Sequence, residues 1–292
     1  MATSFSQKSI RITFSLTSQV FGNGSNTIVL EGYRTIVHVV CGGQPAWTTA
    51  KVQIFGMSQA DMNSMTRLSW DPRGILPNDI LIETNDGSGW QTVFVGSMQE
   101  SGPDYSSAPD VALVALCQTV YDTALNPAVP SSYPKGTSVA TVASALATAM
   151  SRNFENNGVT ATLPAIYLVG SYPEQLRQVC RIANVNLFDD HETFAISPQG
   201  QPRQTTQVVL SPQSGMIGYP TLDNTGIQFG CLYNPAIIFG GQVFVQGDVP
   251  GANGQWWVTS MDHTLESEKP GGAWFSYLRC QKFGSALPLN VQ

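Results

Sequence analysis

The sequence predicts a mainly β protein in which two β domains flank a small α/β domain. Three observations support this prediction. Apolar and polar residues alternate through most of the first hundred residues, two central segments show helical periodicity with capping residues, and alternation returns from about residue 208. The predicted domains are 1–105, 106–204 and 205–285, followed by a C-terminal tail at 286–292.

Strands dominate the first predicted domain. Every second residue from Ile10 to Leu16 is apolar, which places these side chains on one face of a strand. Turn-forming clusters such as GNGSN and NDGSG separate further candidate strands at 27–30, 35–40, 50–55, 79–83 and 91–98. One short helix interrupts the series, since Ser58 is placed to cap the amide of Asp61. This spacing is typical of a β barrel or sandwich.

The middle of the chain combines helices with short strands. The segment VALVALCQTVY alternates weakly and fits a strand or a helix, and we predict a strand. A helix follows with Val139, Val142 and Leu146 on one stripe. A second helix begins after Ser171, which forms a capping box with Glu174. Two short strands, NLF and TFAI, then surround the acidic turn DDHE.

The last predicted domain returns to β structure. The segments IQFGCLY, GQVFVQ and WWVTSMDHTL alternate, and the turn EKPGG leads into a final strand from Trp274. The stretches DILIETNDGSGWQTVFVGSM and QVFVQGDVPGANGQWWVTSM share one order: apolar strand, Gly/Asp turn, tryptophan, apolar strand, Ser-Met. This similarity indicates a duplicated β domain that is split by an insertion.

Composition limits the classes of function. Only 12% of the 292 residues are charged, against about 25% in typical proteins, and such a surface suits a permanent assembly. The net charge of −6 and the scattered basic residues disfavour nucleic acid as a bound partner. We also find no signal peptide and no apolar stretch long enough to span a membrane, so we expect neither export by that route nor membrane insertion.

Cysteines and histidines predict no metal site and no cofactor. The five cysteines are odd in number, widely spaced and set among apolar residues, which indicates reduced core thiols and assembly in a reducing cytoplasm. The three histidines, at positions 38, 191 and 263, lack the i, i+4 spacing of a metal site. We interpret His38, inside the strand TIVHVV, as a core or interface residue.

The acidic run Asp189, Asp190, His191, Glu192 is the one candidate for catalysis. Glycoside hydrolysis requires two carboxylates that face one substrate, so a cell-wall-degrading enzyme is one alternative. Adjacent side chains in a turn point apart into water, and we therefore prefer a solvated turn. Neither a G-x-S-x-G elbow nor a phosphate-binding loop is present. We predict that the chain is not an enzyme.

Six tryptophans offer a second alternative, a glycan-binding protein that stacks sugars on exposed rings. In alternating strands, tryptophans more often lie in the core or at a subunit interface. Trp256 and Trp257 are adjacent in a predicted strand and so face opposite sides, which puts at least one of them off the core. We name these two residues, with Trp274, as candidate interface residues.

Five stretches resemble the hub proteins of long-tailed phages, in particular those with contractile tails. These hub proteins are related to the hub part of type VI secretion spikes. The five stretches span most of residues 50–282 in the order KVQIFGMSQADMNSM, GTSVATVASALATAM, LVGSYPEQLRQVCRIANVNLFDDHETFAISPQG, SGMIGYPTLDNTGIQFGCLYNPAIIFGGQVFVQ and NGQWWVTSMDHTLESEKPGGAWFSYLRC. The most specific features are the segment Gly218 to Gly241 and the hairpin close at Pro270 to Trp274.

The resemblance implies a structural baseplate hub. Each subunit would hold two tail-tube-like β barrels, so that a homotrimer presents six barrels to a six-fold tail tube and keeps three-fold symmetry for a central spike. The implied partners are the tail tube or distal tail protein, the spike and the tape-measure protein, with a lumen that passes DNA. The implied location is the virion tail tip, after assembly in the host cytoplasm. No lysozyme-like or spike domain follows before Gln292, so we expect another protein to supply them.

Overall fold

The computed structural model describes residues 7–42, 46–68, 77–106 and 108–284. It is mainly β, as predicted. The chain divides into two compact units, each built from separate segments. The first unit comprises Met1–Val39, Thr49–Asp122 and His263–Trp274, and the second comprises Val40–Thr48, Thr123–Asp262 and Phe275–Gln292. The division into three domains at 105 and 204 stays a prediction.

The elements up to residue 124 are mostly strands. They are β1 (Ser9–Ser15), β2 (Thr27–Glu31), β3 (Thr35–Cys41), β4 (Thr49–Phe55), α1 (Gln59–Met65), β5 (Asp79–Asn85), β6 (Gln91–Asp104), β7 (Ala112–Gln118) and α2 (Tyr121–Ala124). All six strands predicted in the first domain are present, and the ambiguous segment around residue 115 is a strand, as predicted.

The remaining elements begin with the helical region. They are β8 (Ser131–Tyr133), α3 (Val139–Ala149), β9 (Asn153–Asn156), β10 (Ile166–Leu168), α4 (Tyr172–Ala183), β11 (Val185–Asp190), β12 (Thr193–Pro198), β13 (Val208–Leu210), β14 (Met216–Leu222), β15 (Ile227–Leu232), β16 (Gln242–Val245), β17 (Gly254–Ser267) and β18 (Trp274–Gln281). Two short 3₁₀ helices lie at Pro212–Ser214 and Pro250–Ala252.

The first unit contains an antiparallel sheet in the order β4-β7-β6-β5-β1-β2. The alternation in β1 follows from burial, because Ile10, Ile12 and Phe14 are at most 2% exposed while their neighbours are half-buried. Helix α1 begins as predicted, with the Asp61 amide donating to Ser58 Oγ at 3.1 Å.

In the second unit, helices α3 and α4 accompany a small three-stranded sheet. In that sheet β11 pairs antiparallel with β12, and β12 pairs parallel with β9. The start of α4 confirms the predicted capping interaction, since the Ser171 amide donates to Glu174 Oε2 at 2.8 Å. Leu176, Val179 and Cys180 are fully buried, as their helical spacing predicts.

The rest of the second unit is a sheet in which β14, β15 and β18 are successive antiparallel neighbours. β17 follows β18 in the strand order, β16 pairs antiparallel with β17, and β13 pairs parallel with β16. Within the described residues, neither unit closes its sheet into a barrel. The closed barrels implied by the resemblance are thus not present in the part of the single chain that the structure describes.

In each of two hairpins a short strand is followed by a 14-residue strand. These are β5–β6 in the first unit and β16–β17, which begins in the second unit. The two hairpins are the two stretches whose sequences are similar. The similarity between the two β regions therefore has a counterpart in the structure.

Candidate functional site

Trp256 and Trp257 lie in β17 and are both buried, at 3% and 1% exposure. The Trp257 ring meets the Phe188 ring edge-on at 6.0 Å. Trp256 Nε1 donates to the Ala252 carbonyl oxygen at 2.8 Å, and Lys282 Nζ lies 5.2 Å from its ring centre. The chain itself thus covers both of these rings, although they are adjacent in a strand.

Trp274, the third candidate interface residue, lies in the first unit and is 5% exposed. Lys8 Nζ is 5.6 Å from its ring centre. Burial of all three tryptophans leaves a second subunit little ring surface to contact in this conformation. Their role as interface anchors stays a prediction.

The acidic run differs from the solvated turn that we predicted for it. Asp189 and Asp190 are the last two residues of β11 and are 5% and 9% exposed. Asp189 is held by Thr48, whose amide donates to Asp189 Oδ2 at 3.0 Å and whose hydroxyl donates to the Asp189 carbonyl oxygen at 2.8 Å. The prediction was wrong for these two residues because the strand extends through them, and only His191 and Glu192 form the turn.

Asp190 belongs to a buried ion cluster centred on Arg203. The Arg203 side chain is 5% exposed and lies 2.5 Å from Asp190 Oδ2 and 2.6 Å from Glu155 Oε2. It also donates to the Phe239 carbonyl oxygen at 3.1 Å. The guanidinium thereby connects β9, β11 and the segment before β16.

The charges in this cluster stabilise one another. Burial alone would lower the pKa of the Arg203 guanidinium, but its hydrogen bond to Glu155 and the charge of Asp190 raise the pKa above its ordinary value. Partial burial would raise the pKa of the Glu155 carboxyl, but the hydrogen bond and charge of Arg203 lower it overall. Asp190 is therefore occupied as an ion-pair partner, an arrangement that fits a structural role better than proton transfer.

Sequence reasoning missed Arg203. It lies in the polar stretch QPRQTTQ, 13 residues after Asp190, and no motif or periodicity links the two. The available signal was indirect, since two adjacent carboxylates at the end of an apolar strand require a cation if the strand is buried.

Histidines are placed apart. His38 is exposed on β3, which excludes the core position that we considered for it. His263 is 4% exposed in β17. Across the described ranges, no group of three or more His, Cys, Asp or Glu side chains could hold a metal ion.

No helix in the same ranges is long and apolar enough to cross a bilayer.

All five cysteines are buried free thiols, namely Cys41, Cys117, Cys180, Cys231 and Cys280. Burial raises the pKa of each thiol, to about 12 for Cys180 and Cys231. The predicted core position is confirmed for all five cysteines.

Because the thiolate is the reactive form, we expect the native protein to react negligibly with a thiol reagent such as dithionitrobenzoate at pH 8. After denaturation, five equivalents should react, one for each cysteine. Rapid labelling of one or more thiols in the native protein would contradict the burial seen here.

The chain is similar to known proteins in sequence and in structure. A family model for baseplate hub gp41 matches residues 10–271. No curated protein sequence matches the chain. The 43 kDa tail protein of prophage MuSo2 from Shewanella oneidensis is similar in structure, with a TM-score of 0.58 and 8% identity over 93% of this chain and 96% of that one.

Two further solved structures are similar. The tail protein from Neisseria meningitidis MC58 has a TM-score of 0.60 and 10% identity over 94% of this chain and 97% of that one. The E. coli c3393 protein, a type VI secretion component with structural similarity to the T4 tail proteins gp27 and gp5, has a TM-score of 0.59 and 10% identity over 87% of this chain and 74% of that one. At these identities the likeness concerns the fold.

Proposed function

Because the chain belongs to the baseplate hub gp41 family, we propose that it acts as a symmetry adaptor in the phage tail. As a member of this family it is a structural component of the virion tail. In the proposal, three copies form a ring that joins a six-fold tail tube to a three-fold central spike and leaves a lumen for DNA and the tape-measure protein.

The duplicated hairpin is the observation that carries this proposal. Hairpins β5–β6 and β16–β17 each end in a 14-residue strand. A ring of three copies would contain six such hairpins. Six equivalent hairpins match the six-fold symmetry of a tail tube, while the three copies keep the three-fold symmetry of a spike. The open sheets are compatible with this scheme, since strands from several copies could complete a barrel that one copy does not close.

The charge of the chain fits a lumen that DNA passes through. A net charge of −6 and a charged fraction of 12% provide no basic surface that would retain phosphate groups. The buried reduced cysteines fit assembly in a reducing host cytoplasm. We propose the tail tube or distal tail protein, the spike and the tape-measure protein as partners, without specific nucleic-acid binding or stable membrane insertion.

We also propose that the chain has no enzymatic activity. Asp189 and Asp190 are buried and engaged by Thr48 and Arg203, so they do not form a carboxylate pair open to a polysaccharide. Of the tryptophans whose structure is described, Trp47, Trp256, Trp257 and Trp274 are buried and Trp90 is half-buried beneath Arg11. Trp70 lies outside the described residues.

Electron microscopy of purified tails tests the proposal directly. We expect three copies of the chain in one ring at the tail tip, between the tube and the spike, and we expect tails made without the chain to lack this tip. Six copies in the ring, or a location elsewhere in the virion, would overturn the adaptor role. Clearing of peptidoglycan by the purified chain would overturn the non-enzymatic assignment.

A further inference from the structure

One face of the sheet β14-β15-β18 carries a cluster of exposed apolar side chains. Ile217, Gly230 and Tyr277 are register partners on three successive strands, so they share one face. Leu232 and Phe275 are register partners one row along, on the same face of their strands. Tyr219 lies next to these rows, within the register shift of β14.

We call this surface the outer apolar face and define it by five side chains. Their exposed fractions are 48% for Ile217, 69% for Tyr219, 52% for Leu232, 42% for Phe275 and 42% for Tyr277. The opposite side of the same strands holds Met216, Phe229, Cys231, Ser276 and Leu278, which are all buried. The sheet thus has an apolar core on one face and an apolar surface on the other, where a soluble antiparallel sheet ordinarily has polar residues.

The area of the outer apolar face suits a permanent interface. Taking about 200 Å² for a large side chain and the exposed fractions above, the five residues leave about 500 Å² of surface open to water. A standard interface buries about 800 Å² on each partner, of which about 65% is apolar in homo-oligomers. The face therefore has about the apolar area that one side of such an interface needs.

Polar residues border the outer apolar face, as expected for the rim of an interface. The next row across the same strands contains Thr221, Gln228 and Arg279, which are register partners. None of the five side chains that define the face is charged. An uncharged apolar centre with a polar rim is the composition of obligate subunit contacts.

The strand β14 lies at the edge of this sheet and pairs with β15 alone among the described strands. An open edge is a site where another chain can associate. Pro220 and the register shift between Ile217 and Thr221 interrupt the edge, which disfavours a long added strand. Contact through the side chains of the outer apolar face is the mode of association that remains.

We propose that a second copy of this chain covers the outer apolar face and that this contact holds the ring together. The number of copies in the ring rests on the proposed function. The partner must offer a complementary apolar surface that stays bound, and homo-oligomers are the commonest assemblies with such interfaces. In a ring, every copy presents this face to its neighbour, so no copy leaves it in water.

The test introduces a lysine at two positions of the outer apolar face and, as a control, at one exposed position outside it. Tyr277→Lys and Ile217→Lys place a charge on the outer apolar face, while Tyr167→Lys makes the same change at a tyrosine that is 64% exposed on β10. Light scattering after size exclusion should give three times 31.4 kDa for the wild type and for Tyr167→Lys. The two variants of the face should elute at 31.4 kDa with unchanged circular dichroism.

Three outcomes would overturn the inference: a monomeric wild type, an oligomer that persists in both face variants, or the same dissociation in Tyr167→Lys. Hydroxyl-radical footprinting of the wild type needs no variant to fold, and it should show Phe275 and Tyr277 protected relative to Tyr167. Reconstruction of the tail tip decides the adaptor role separately. Three copies there with the outer apolar face against a different protein would refute this inference and leave the proposed function intact.

Discussion

Replacement of Arg203 by methionine should lower the free energy of unfolding by about 3–5 kcal/mol. The substitution removes the cation that lies 2.5 Å from Asp190 and 2.6 Å from Glu155. Asp190 would then be a carboxylate at 9% exposure without its guanidinium partner. Removing one member of a buried ion pair is expensive because the other charge remains away from water.

Urea denaturation at neutral pH measures this loss, and Arg34→Met is its matched control. Arg34 lies 3.6 Å from Asp110, with side-chain exposures of 41% and 70%, so the same substitution there should cost at most about 1 kcal/mol. Adding Asp190→Asn to Arg203→Met should recover part of the stability, since a buried amide costs less than a buried charge. Equal losses at the two arginines would contradict the assignment of Arg203 as the centre of the cluster.

Replacement of Gly240 by alanine should be the second severe substitution, with an expected loss of about 2–5 kcal/mol. Gly240 has a φ of +79°, which favours glycine. A Cβ atom there would lie 2.6–2.8 Å from three atoms of the Phe188 ring. That ring is fully buried and packs edge-on against Phe239 at 5.3 Å and Trp257 at 6.0 Å, so it has little room to move.

Gly136→Ala separates backbone strain from the steric clash. Gly136 has a φ of +91° and nothing within 4 Å of an added Cβ, so alanine there should cost about 1–2 kcal/mol from backbone strain alone. Combining Gly240→Ala with Phe188→Leu should be less destabilising than the sum of the two single changes, because the smaller side chain removes the clash. Strict additivity in urea denaturation, or equal losses at the two glycines, would exclude the clash as the cause.

Local sequence signals predicted the elements well. The alternation from Ile10 to Leu16 appears as β1, and the Ser171–Glu174 capping interaction starts α4. These features depend on residues within a few positions of one another, which a periodic pattern records. The resemblance to hub proteins was confirmed. It was predicted from five stretches in a fixed order, which carry more information than one motif.

Contacts between distant segments could not be predicted in this way. Sequence spacing predicts a solvated turn for the acidic run because Thr48 and Arg203, which contact it, lie outside its immediate sequence. The adjacent positions of Trp256 and Trp257 in β17 predict that at least one of them lies off the core, yet the chain covers both. The alternation of a strand shows which side chains share a face, but it does not show what lies against that face.

The first unit consists of three segments, and the last of these, His263–Trp274, is 141 positions after the second ends at Asp122. At about 5–20 residues per second, a ribosome needs on the order of ten seconds to cross that interval. During this time the earlier strands of the first unit are outside the ribosome without their final segment. The unit is therefore completed only after this final segment has been made, by contacts of high sequence separation that form slowly. A polypeptide released before His263–Trp274 is made would leave the first unit without this segment.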